Sequence, residues 1–213
     1  MSIDQTGEGI VKMKRIFQLM FVLEIVLGGM SAGTMNKKPV KVAAPLSADE
    51  VAIYKAVLRA YSDKKDIVLN VSQTTYPLDP DFPMEGLREE CVKDIHLENL
   101  MVVSRSFHQL TPDVLPGKPM KLVDPGKQAK IVHSNDPSKT IDKGKPVKDA
   151  VETAFSTGLF SMSEIAFDKE RQFAVVSYRF WCGSLCGQGT TIVFKKIKGE
   201  WRNSNRNCGG WIS

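Results

Sequence analysis

The chain has 213 residues, 42% hydrophobic and 25% charged. That is the make-up of an ordinary globular protein of one good-sized or two small domains, and it excludes a chain disordered throughout. A net charge of +5 favours solubility and loose attraction to anionic surfaces, and it falls short of a nucleic-acid interface.

Residues 1–33 read as a signal peptide. Lys12, Lys14 and Arg15 precede an apolar run over residues 16–30, which exits through the small residues Ser31, Ala32 and Gly33. The run is short for a membrane span of roughly 20 residues, so membrane contact is expected only through an uncleaved leader. Cleavage after Ala32 leaves the net charge unchanged, since Asp4, Glu8 and Glu24 depart with the three basic residues. Export implies a periplasmic or secreted protein whose four cysteines form disulfides.

Residues 34–46, with two prolines and no period, read as a linker, and 47–213 as a single α+β domain. Ser47 and Glu50 form a capping box. Val51, Tyr54, Val57, Leu58 and Tyr61 follow at helical spacing, which predicts a helix from 48 to about 63. Ile67, Leu69 and Val71 alternate with polar residues in a first strand within 66–76. Residues 87–107 are a helix-like mixture. From 111 to 149 the composition shifts, with six of the eleven prolines and eight lysines, and this segment reads as a loop-rich insert. A short helix is expected over 149–155.

The C-terminal part predicts an antiparallel meander of four strands, Leu159–Phe167, Phe173–Trp181, Thr190–Ile197 and Trp201–Asn207. In the second strand Ala174, Val176, Tyr178 and Phe180 share the more apolar face, which should meet the helix. Phe173, Val175, Ser177, Arg179 and Trp181 take the other face.

Cys182 and Cys186 stand at the tip of the central hairpin in "WCGSLCGQG". Paired strands bring such residues within disulfide reach, and Gly183, Gly187 and Gly189 suit a tight tip. Pairing Cys182 with Cys186 and Cys91 with Cys208 is one of three connectivities that four cysteines allow. By chain entropy the small ring contributes about 2 kcal/mol and the large one about 5. A redox centre would want Cys-x-x-Cys opening a helix. Zinc would want a second pair or nearby histidines, whereas His96, His108 and His133 are scattered over three segments. No metal or cofactor is implied, and no hydrolase elbow, phosphate loop or H-E-x-x-H is present. Asn70-Val71-Ser72 fits a glycosylation sequon.

The C-terminal block resembles a group of uncharacterised bacterial exported proteins. Their common ending is S-x-x-G/A-F-(N/D), C-G-x-L-C-G-x-G, K-x-x-G-x-W and a terminal W-(I/V)-S. It is matched here by Ser163, Ala166 to Asp168, Cys182 to Gly187, Gly189, Lys196 to Trp201, and Trp211 to Ser213. The helix "EVAIYKAVLRAYSDKK" and the strand "IVLNVSQTTY" resemble the start of the same group. The resemblance implies no activity; it supports the hairpin-tip disulfide. Cys208 departs from the pattern, and pairing it with Cys91 explains both extra cysteines. A helix on a curved antiparallel sheet resembles the plan of cystatin-like and nuclear-transport-factor-like folds, a likeness of architecture alone.

Two functional readings follow. The first is a non-enzymatic exported domain that binds a small ligand or a protein, with Tyr54, Tyr61, Tyr178, Phe180 and Trp201 as pocket residues. The alternative is an exported hydrolase without a recognisable motif, which a histidine beside an acid would favour and a filled sheet interior would disfavour.

Overall fold

Ser47 opens the first helix as its capping box predicts. Its N–H and its hydroxyl each donate to Glu50 Oε2 at 2.6 Å, and the Glu50 N–H donates back to Ser47 Oγ at 3.4 Å. The computed structural model describes residues 41–42, 44–62, 68–78, 89–117, 119–206 and 208–213, all within one unit, Pro39–Ser213. The expected signal peptide lies outside the described residues, as do 34–40 and 43 of the expected linker.

In chain order the elements begin with β1 (Lys41–Val42), α1 (Ala48–Ser62), β2 (Leu69–Ser72), α2 (Glu89–Val92), α3 (Leu100–Val103), β3 (Ser106–Phe107) and β4 (Met120–Val123). Then come α4 (Pro125–Ser134), α5 (Pro137–Asp142), α6 (Val147–Thr157), β5 (Leu159–Met162) and β6 (Ala166–Phe167). The chain closes with β7 (Phe173–Gly183), β8 (Cys186–Ile197), β9 (Glu200–Asn203) and β10 (Gly210–Ile212).

The fold is α+β, a few helices on a strongly curled mixed sheet. The strands run β10-β8-β7-β5-β2-β4, with β6 also on β7 and β9 also on β8. The C-terminal meander is antiparallel, as its short connectors require. The sheet is not antiparallel throughout, however, because β2 pairs in parallel with both β4 and β5. Parallel neighbours need long crossovers, and the 111–149 segment supplies one. Expected as a loop-rich insert, it instead holds β4, α4, α5 and the start of α6. Two of its prolines sit where α-helices begin: Pro125 and Pro137 occupy first turns, capped by Asp124 and Asp136 side chains. By composition alone, such punctuation of helix starts looks like loop. Ile131-Val132, a candidate brief strand by composition, lies inside α4. The first meander run is also broken, into β5 and β6.

Two apolar layers cover the two faces of the sheet. On one face Ile53, Tyr54, Val57 and Leu58 of α1 pack with Phe160, Val176, Phe180 and Phe194, so the apolar face of β7 meets the helix as its alternation predicts. On the other, Leu78, Cys91, Ile95 and Val103 pack with Val175, Val193 and Cys208. The Cys91–Cys208 disulfide, Cα to Cα 5.0 Å, lies within that second layer and pins the α2–α3 region to the sheet. Cys182–Cys186 closes the β7–β8 tip at the same Cα distance. The sequon does not survive folding as an accessible site: Asn70 is 4% exposed, and its amide donates to the carbonyls of Ser156 and Gly158. Among the described residues no helix is long and apolar enough to cross a membrane.

Candidate functional site

Strand register assembles a row of residues across the face of the sheet that α1 does not cover. Ser161 on β5 faces Arg179 on β7, Arg179 faces Gly189 on β8, and Gly189 faces Trp211 on β10. Directly paired residues point to the same side of a sheet, so the row places a guanidinium and an indole on one floor with a glycine between them. One step along, Leu159 faces Trp181 and Trp181 faces Gly187.

The two glycines explain how Trp211 reaches that floor. A Cβ built on Gly189 would stand 2.5 Å from Trp211 Nε1, and one on Gly187 would stand 3.0 Å from Cζ3. The indole therefore lies across both residues, held at the chain end by the Ser213 N–H donating to Gly187 O at 2.9 Å. The Gly-x-Gly spacing, read from sequence as part of a tight tip, is a bed for an aromatic ring. Gly183 alone of the three has positive φ, at 145°, where β7 breaks register at the tip.

Above the row lies a half-open cleft of about 550 Å³. Its walls are Trp181, Trp211 and Tyr76; Ser72, Thr74, Thr75 and Ser161 bring hydroxyls, and Pro125 and Ala129 of α4 close one side. The Arg179 guanidinium lies 4.3 Å over the Tyr76 ring, and the Trp181 indole meets His133 of α4 edge-on with centroids 4.9 Å apart. The Trp211 N–H is buried without a hydrogen-bond partner among the described residues, a costly state for an indole donor.

The five aromatics expected as pocket residues do not line this cleft. Tyr54, 1% exposed, is core, and its buried hydroxyl donates to Ser163 O at 3.0 Å; burial pushes this phenol well above its usual range. Phe180 is 4% exposed and packs in the same layer. Tyr61 and Tyr178 border a separate shallow cleft of about 370 Å³. Burial pushes the Tyr61 phenol up to about 12 against a hydrogen bond from Gln188. Trp201 is half-buried and donates through Nε1 to Asp49 Oδ1 at 2.9 Å, tying β9 to the start of α1. The larger cleft lies on the opposite face of the sheet from α1.

The hairpin tip is clamped from outside. Asp136, 1% exposed, caps α5 through Ser138 N–H at 3.0 Å and accepts from Ser184 N–H at 2.9 Å and from the Ser184 hydroxyl. Beside the cleft, Glu164 is 2% exposed. Its carboxylate accepts from the Thr75 hydroxyl, from His108 N–H at 2.9 Å and from His108 Nδ1–H at 2.8 Å. Neither Asp136 nor Glu164 stood out in the sequence, because their partners lie 48 and 89 residues away along the chain.

Compared with protein-family models, curated proteins and solved structures, the chain matches none.

Proposed function

We propose that the protein is an exported, disulfide-braced binding domain whose cleft takes a small ligand carrying an acidic group on a ring-shaped body. The observation that carries this reading is the paired row Ser161–Arg179–Gly189–Trp211 on the cleft floor. Stacking on Tyr76 uses the face of the guanidinium, whereas its N–H donors lie in the plane, where they suit a carboxylate. The indoles of Trp181 and Trp211 offer flat apolar surface beside it. A volume of about 550 Å³ falls within the range of small-molecule sites.

Export is supported by the two disulfides, which persist in oxidising compartments, and by the basic-then-apolar leader pattern. We propose also that the chain belongs with the exported group its ending resembles, since the last two glycines of C-G-x-L-C-G-x-G, Gly187 and Gly189, and the Trp of W-(I/V)-S have one shared task, the seating of Trp211.

The hydrolase alternative would draw on His108, an imidazole held by the Glu164 carboxylate. The neighbouring Thr75 hydroxyl donates to Glu164 and accepts from the His108 backbone. It is spent on structure and is not aimed as a nucleophile, so binding is the better-supported reading.

The test is ligand-observed NMR on the disulfide-intact chain with a library of cyclic acids and their neutral counterparts, repeated on Arg179→Gln. Acids that bind, and lose binding in the variant, support the cleft. A library in which no acid responds to Arg179→Gln overturns it. Peptide mapping of protein from its native host, with cleavage expected near Ala32, tests export.

A further inference from the structure

We infer that the ring accepted by the cleft is a sugar, so that the ligand class is an acidic saccharide, a pyranose bearing a carboxylate. This rests on the binding reading above and goes further, naming the chemistry of the ligand body.

Three observations separate a sugar from a flat apolar acid. First, Trp211 lies down on backbone: with Gly187 and Gly189 beneath it, one face of the indole is spent on the sheet and the other is turned away from it. A ring laid open in this way presents its electron-rich face, which matches the weakly positive C–H face of a pyranose.

Second, two of the hydroxyls at the cleft, those of Ser72 and Thr75, have already used their donors. Ser72 Oγ donates to Thr74 O at 2.6 Å, and the Thr75 hydroxyl donates to Glu164. A hydroxyl has one donor and two lone pairs; Ser72 Oγ also accepts from Thr74 N–H at 3.2 Å and Thr75 Oγ1 from His108 N–H at 2.7 Å, so one lone pair on each is what they have left to offer a ligand. Ligand hydroxyls can meet it, and the bare C–H edge of an aromatic acid cannot.

Third, the site's donors are complementary to oxygen. Arg179 shares one row with Gly189 and Trp211 across three strands, and its guanidinium suits a ligand rich in acceptor oxygens. A half-open cleft also lets the outer hydroxyls of a sugar remain in water, an arrangement from which an apolar ring would gain little.

The test uses three probes on the full, disulfide-intact chain: D-glucuronate, D-glucose and benzoate. Tryptophan fluorescence and saturation-transfer NMR are the readouts. Glucuronate is expected to bind at least about tenfold more tightly than glucose, the effect of one charge-assisted hydrogen bond, and more tightly than benzoate. Arg179→Gln should bring glucuronate to the glucose level while the chain stays folded and glucose binding is unchanged. Trp211→Leu should abolish both sugars, and Gly189→Ala, which leaves the indole in the protein but displaces it, should weaken both. Benzoate binding as well as glucuronate, with the same sensitivity to Arg179→Gln, overturns the sugar inference and leaves the cleft standing. No response to Arg179→Gln with either acid overturns both.

Discussion

Trp211 lies on Gly189 so closely that a Cβ there would come within 2.5 Å of the indole nitrogen and 3.0 Å of Tyr178 O, while at Gly187 the nearest approach is 3.0 Å. The missing side chains are therefore worth more at 189 than at 187. Gly189→Ala should destabilise by about 1–3 kcal/mol as an overpacked site and shift the tryptophan emission as the ring lifts. Gly187→Ala should do less of both. Chemical denaturation with fluorescence detection orders the two, and the reverse order would mean that the indole is not seated on this floor.

The two disulfides should differ in energetic weight. Cys91–Cys208 spans 117 residues and Cys182–Cys186 only 4. In the chain-entropy picture these correspond to about 5 and about 2 kcal/mol. Replacing Cys91 and Cys208 together by Ser should lower the denaturation midpoint far more than the same change at 182 and 186. It should also raise the hydrogen exchange of residues 91–103, which the long bond holds against Val175 and Val193. Equal losses would contradict this ranking.

What could be read from the sequence was what local chemistry decides. The Ser47–Glu50 cap, the helix after it, the two faces of β7 and the disulfide at the hairpin tip all follow from spacing over a few residues. The binding cleft does not, because its row depends on register among β5, β7, β8 and β10 and on which face the α4–α6 crossover leaves open. Strand alternation puts Arg179 and Trp181 on the face away from the helix, as observed, but nothing local says that this face holds a cavity. The Gly-x-Gly spacing was the one available signal: a period of two glycines on one strand face asks for something to lie there. Pro125 and Pro137 misled for the opposite reason, since proline marks a helix start as readily as a loop.

Acid should loosen the molecule at two known points. The Ser184 hydroxyl, with the Ser184 and Ser138 N–H groups, outweighs burial and holds the Asp136 carboxyl below its usual range. At Asp49 burial pushes upward, but hydrogen bonds from Trp201 and Lys196 and the charges of Lys196 and Arg171 prevail and leave this carboxyl lowered too. A carboxyl with a depressed folded pKa contributes stability that is present above its unfolded value, near 3.8, and lost as the pH falls through the folded one. Urea midpoints should therefore be flat from pH 7 to about 5 and fall below about pH 4. Asp136→Asn should reduce that slope and raise exchange at the Ser184 amide. An unchanged slope would show that the clamp on the hairpin tip does not form in solution.

Glu164 tests whether the His108 network is a brace. Its carboxylate joins Thr75, beside the cleft, to His108 on the segment after β3 and to its own place between β5 and β6. Glu164→Ala leaves three donors facing a cavity and should cost about 3 kcal/mol or more, since each buried donor left unsatisfied costs about 1–3. Glu164→Gln is gentler. Its amide oxygen can still accept from Thr75 and the His108 N–H, and its NH2 needs only an acceptor Nδ1, which the other imidazole tautomer supplies. A cost of about 1–2 kcal/mol is expected. Because Thr74, Thr75 and Tyr76 line the cleft, the Gln variant should also weaken ligand binding modestly while remaining folded. Urea denaturation at pH 7 and titration of the same two variants separate the outcomes. An Ala variant as stable as the parent would remove the brace from the account, whereas a Gln variant that binds normally but has lost a hydrolytic activity would move His108 from structure to chemistry.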